Sequence, residues 1–145
     1  MDAGCAGEEM WAPVGEAMMT GLYRWMALLI AILIFAQAVL AGRFLFVDND
    51  AVDIHQVVAN FLSVLVVVHV ALVLVTRKKW SQRVPVLTAL LAILVIVPTG
   101  LGYGGRDSAD VLAIHVPVGV LSFGVASLLT AVAFSERSAI QHTEK

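Results

Sequence analysis

The chain has 145 residues, of which 60% are hydrophobic and 14% charged, and it carries a net charge of -2. A soluble domain averages about 45–50% apolar and about 25% charged residues, so this composition excludes an ordinary soluble core. The charge gives no bulk basis for nucleic-acid binding, and the single cysteine, Cys5, excludes an internal disulfide.

The first twenty residues read as a flexible cytoplasmic tail. Asp2, Glu8, Glu9 and Glu16 stand where a signal peptide needs positive charge, so no signal peptide is expected. Met18 and Met19 are alternative starts, because residues 1–17 differ in character from the rest. A four-helix transmembrane domain is expected over 21–135, followed by a second cytoplasmic tail at 136–145. Four apolar blocks mark the helices: about Leu22 to Gly42, Val52 to Val75, Val84 to Leu101 and Ala109 to Phe134. Each spans a hydrocarbon layer of about 30 Å at about 1.5 Å per residue. Lipid offers no hydrogen bonds, so helix overrides the strand preference of the many valines.

Short connections at Arg43–Ala51, Thr76–Arg83 and Gly102–Ser108 make consecutive helices antiparallel neighbours. The expected fold class is therefore an all-α, integral membrane, up-down-up-down four-helix bundle. Asp50 and Ser108 are candidate caps for the second and fourth helices, and Pro85 suits the first turn of the third. Pro98 and Pro117 fall inside helices and predict kinks.

Orientation follows from the cations. Arg24, Arg77, Lys78, Lys79, Arg83, Arg137 and Lys145 lie on one side, and only Arg43 and Arg106 on the other. The positive-inside rule then places both termini in the cytoplasm, with a prokaryotic plasma membrane as the expected location. Asp48, Asp50, Asp53, Asp107 and Asp110 fall to the outer loops. Tyr23, Trp25 and Trp80 suit an inner aromatic belt, and Phe44, Phe46 and Tyr103 an outer one.

A weak repeat relates the halves. An Ile-His pair opens each even-numbered helix, with a small residue four later (Ala59, Gly119). Gly42 precedes His55 by the interval at which Gly102 precedes His115. This pattern suggests a duplicated helical hairpin.

The repeat singles out His55 and His115. They fall at similar depths, roughly 3 Å apart along the normal, on helices that run in the same direction across the core. That geometry suits axial ligation of heme b, with both histidines as iron ligands. Gly42, Ala59, Gly100, Gly102 and Gly119 would give the flat ring clearance, and Arg43 and Arg106 are the cations available to its propionates. Asp53, two residues before His55, is the candidate for a proton acceptor or an orienting acid. The competing reading makes both histidines interfacial residues bonded to water or to outer-loop aspartates.

His69 lies fourteen residues after His55 on nearly the same face, about 21 Å deeper. The matching position on the fourth helix is Leu129, which argues against a second bis-histidine heme. His69 is expected to bond across helices or to bind a ligand at the cytoplasmic side. Gln37, Gln56 and Asn60 read as interhelical hydrogen-bonders. No HExxH, P-loop or GxSxG motif is present.

From about Leu22 to Phe134 the chain resembles one four-helix half of heme A synthase. In that family each half has heme-ligating histidines near the outer ends of its second and fourth helices, which match His55 and His115. The segment A-I-H-V-P-V-G-V-L-S-F-G is also similar to small four-helix bacterial membrane proteins. The chain departs from the heme A synthase pattern in having Asp53 for glutamate and Gln56 for the arginine after the first histidine. It also supplies one half alone. The resemblance thus implies a heme-binding bundle more than heme A synthesis.

The leading expectation is a cytochrome b-like membrane protein holding one heme, for electron transfer or as a heme-modifying module. The alternative is a cofactor-free accessory or assembly subunit of a larger membrane complex. A third reading is a transport or quinone site at His69. The expected partners are the lipid bilayer and either a second copy of the chain or another membrane protein.

Overall fold

The structure, a computed structural model, describes residues 8–47, 50–105 and 108–143. Four helices account for nearly all of them: α1 (Glu8–Phe46), α2 (Ala51–Thr76), α3 (Arg83–Gly104) and α4 (Ala109–Thr143). A single 3₁₀ turn at Arg77–Lys79 continues α2 into the α2–α3 connection. All four helices are long and apolar enough to cross a membrane, over Ala17–Arg43, Ala51–Lys79, Arg83–Gly104 and Ala109–Glu136. The helix ends outrun the apolar blocks. Helix α1 begins at Glu8 rather than near Leu22, so its first turns lie within the stretch read as a tail, and α4 continues to Thr143.

The helices close into an up-down-up-down ring. Helices α1 and α3 each pack against α2 and α4, so α1 faces α3 across one diagonal and α2 faces α4 across the other. The α1–α2 and α3–α4 connections share one end of the bundle, here termed the loop end. The α2–α3 connection and both chain termini share the other, the terminal end.

Inward stripes recur every three or four residues. On α2 they run through Leu62, Val66, His69, Val73 and Thr76, and on α3 through Val84, Thr88, Leu91, Val95 and Pro98. On α4, Ser122, Ala126, Leu129 and Ala133 serve. This spacing keeps one face of each helix on its neighbours. The opposite faces carry exposed large apolar residues such as Ile32, Phe61, Val86 and Leu128, as a lipid-facing surface requires.

Three local expectations need correction. Asp50 occupies the N-cap position of α2, but its backbone is already helical and its side chain makes no capping hydrogen bond. The main-chain contact from Asp53 N–H to Asp50 O, at 3.2 Å, closes that turn instead. Tyr23 and Trp80 are not belt residues, because both are buried in the bundle, and of the three inner aromatics only Trp25 is exposed.

Helix α3 runs unbroken through Pro98. A proline withholds the N–H that would bond the carbonyl four residues back, here Leu94. Ser122 Oγ of α4 stands 2.9 Å from that carbonyl and 2.8 Å from Val118 O. Its single proton is shared between the two, so a neighbouring helix satisfies the group that proline freed.

At the α3–α4 turn, Gly105 N–H bonds Leu101 O at 2.9 Å and Ser108 N–H bonds Gly105 O at 2.9 Å. A methyl group on Gly105 would come within 2.5–2.7 Å of the stiff Val111 side chain. Glycine is needed here for close approach.

Candidate functional site

His55 and His115 each extend an inward stripe toward the loop end, seven residues before Leu62 on α2 and before Ser122 on α4. Their rings meet across the α2–α4 diagonal with centroids 6.2 Å apart and planes inclined at 54°. Each ring keeps a buried Nδ1 that has no hydrogen-bond partner.

The pair borders a cavity of about 250 Å³ walled by all four helices. Most of the wall is apolar. Gln37, Gln56, Thr99, Tyr103 and Ser122 supply the other polar groups. Gln37 Oε1 and Gln56 Nε2 are also buried without partners. An unmet polar atom away from water costs about 1–3 kcal/mol, and four such atoms around one cavity call for a partner such as water or a ligand.

A first-row metal bonds an imidazole nitrogen at about 2.0–2.1 Å. The ring centre lies about 1 Å behind that nitrogen, so two imidazoles on opposite sides of one metal hold their centroids about 6 Å apart. The observed 6.2 Å agrees. Among the described residues no group of three or more His, Cys, Asp or Glu side chains could hold a metal ion. Among the described residues, His55 and His115 are the imidazoles brought together at this cavity.

Of the residues expected to give clearance, Ala59, Gly102 and Gly119 line the cavity, whereas Gly42 and Gly100 do not. Gly102 backs the His115 ring, and a methyl group there would stand 3.7 Å from Cε1, in ordinary contact. A methyl group on Gly119 would meet nothing within 4 Å.

Asp53 is exposed and outside the cavity wall, and residues two apart on a helix face different sides, so it is not brought to His55. Arg43 is exposed in the last turn of α1, at the loop end but outside the wall. Arg106 lies outside the described residues, as do Asp48 and Asp107.

Gln37 does bond between helices, its Nε2 donating to His55 O at 2.9 Å. Asn60 Nδ2 likewise donates to Tyr103 Oη at 2.6 Å. Gln56 Nε2 makes no such bond.

His69 is fully buried at the terminal end and does not line the cavity. Its ring packs on Tyr23 at 4.1 Å, and the main chain of Tyr23 lies nearby, yet neither nitrogen reaches hydrogen-bond geometry. The expected bond across helices is therefore absent.

The Gln37–His55 and Ser122–Leu94 contacts were not anticipated as partners. The second had a signal, since the position of Pro98 fixes Leu94 as the carbonyl needing a donor. No protein-family model, curated protein or solved structure matches the chain.

Proposed function

We propose that the chain is a heme-binding, cytochrome b-like membrane protein, with one heme held between α2 and α4 at the loop end. The observation that carries this reading is the pair of half-buried imidazoles 6.2 Å apart on a cavity with unmet polar atoms. His55 and His115 would be the axial ligands. Ala59, Gly102 and Gly119 would leave room for the ring, and Arg43 would offer charge to a propionate at the loop end. When bound, the group would supply reversible one-electron chemistry, in electron transfer or in a heme-modifying module.

The loop end would face away from the cytoplasm, because Arg77, Lys78, Lys79 and Arg83 gather at the terminal end.

The test is a reduced-minus-oxidised spectrum of protein purified in mild detergent and supplied with hemin. The expected result is a b-type spectrum that disappears in both His55→Ala and His115→Ala. No Soret band in the wild type would overturn the reading. It would favour a cofactor-free accessory subunit, recognised by copurification with a larger membrane partner.

A further inference from the structure

The two histidines are held differently. His115 has Gly102 behind it, which brings no side chain to the ring edge. His55 is approached by Gln37, the polar residue that α1 contributes to a wall it otherwise builds from Ile34, Ala41 and Leu45. The Gln37 amide donates to His55 O at 2.9 Å, a carbonyl that α2 already uses in its own ladder. This extra bond ties α1 to α2 at the backbone of His55.

The main chain of Gln37 also lies beside the His55 imidazole, just outside hydrogen-bond geometry for Nδ1. Metal-bound histidines characteristically donate their second N–H to a carbonyl or carboxylate, which sets tautomer and ring orientation. Asp53, the nearest acid in sequence, is exposed and does not fill that role.

We infer that Gln37 is a positioning residue for His55: its side-chain amide anchors the His55 backbone, and its main chain stands beside the ring where it would receive Nδ1–H if Nε2 held an iron. The inference rests on the heme reading above. It makes the pair asymmetric, with His55 anchored from α1 and His115 lacking such an anchor while both stay bound.

The test uses the full chain loaded with hemin in detergent. Wild type, with both axial positions filled, should bind no carbon monoxide when reduced. Gln37→Leu keeps both histidines, so the Soret band should remain, but the reduced heme should now bind carbon monoxide and the low-spin g values should shift. Asn60→Leu is the control, since it removes another interhelical bond of α2 without touching His55, and it should behave as wild type.

If Gln37→Leu does not fold, Gln37→Glu decides. As the neutral acid it still donates to His55 O and should match wild type at acidic pH, gaining carbon monoxide binding as the carboxyl ionises. A heme-loaded Gln37→Leu, or a pH-insensitive Gln37→Glu, with wild-type signatures overturns the role of Gln37 and leaves the heme standing. Equal effects in Asn60→Leu overturn it as well. Absence of heme from the wild type overturns both readings.

Discussion

At the loop end, two histidines border a cavity of about 250 Å³, and four buried polar atoms around it have no partner. At the terminal end, one histidine is enclosed completely, and the polar groups around it are tied to one another. Tyr23 Oη donates to Thr88 Oγ1 at 2.6 Å, leaving the Thr88 proton for Val84 O at 2.8 Å. Trp80 Nε1 donates to Thr76 Oγ1 at 2.9 Å, and Arg24 Nε to Ala133 O at 2.9 Å, with the Arg24 guanidinium 5.2 Å above the Trp80 ring. Leu129, at the position matching His69, is fully buried. The two ends differ in packing: apart from the unpartnered His69 nitrogens, the terminal end is closed by packing and hydrogen bonds, and the loop end leaves a cavity bordered by two imidazoles.

The sharpest way to break that division is to fill the space. Gly119→Leu adds a side chain where a methyl group meets nothing within 4 Å. The expected outcome is loss of hemin uptake of tenfold or more, on the order of 1.4 kcal/mol or above, with the thermal unfolding midpoint in detergent close to wild type. Retention of the full Soret band would show that the cavity is not where the cofactor sits. A collapsed midpoint would show that the cavity wall is structural after all.

An intermediate effect is expected at the opposite end. Tyr23→Phe removes the donor to Thr88 but keeps the ring against His69 and Trp80. A net cost of about 0.5–1.5 kcal/mol follows for a lost buried hydrogen bond, read as a lower unfolding midpoint, with the heme spectrum unchanged. A changed spectrum would join the two ends that the packing separates.

The fold was legible because membrane physics leaves few choices: four apolar blocks with short connections can only be antiparallel helices. Which face of each helix turns inward was less legible. In lipid both faces are apolar, so hydrophobicity does not mark the buried side. Tyr23 and Trp80 were therefore misassigned to a belt, although their polar atoms needed partners that Thr88 and Thr76 provide. His55 and His115 were legible as a pair because their spacing repeats between hairpins. Asp53 is close to His55 in sequence but exposed and outside the cavity wall, whereas Gln37, eighteen residues from His55, is its hydrogen-bonding neighbour.

The smallest expected effect concerns His69. A buried imidazole with no hydrogen-bond partner carries a standing cost, and an apolar side chain of similar volume removes it. A leucine side chain at this position would pack among Tyr23, Val66 and Val73, which already form a continuous core. His69→Leu should therefore leave stability within about 1 kcal/mol of wild type or raise it, and leave heme content and spectrum unchanged. A loss of several kcal/mol would mean that the ring nitrogens are engaged in the native protein, by water or by a ligand. In that case the terminal end, too, would hold a functional group, and a quinone or transport role at His69 would become the reading to pursue. An unchanged or more stable variant would leave His55 and His115 as the candidate site histidines of the bundle interior, because the buried His69 with its unmet bonding capacity would have proved dispensable.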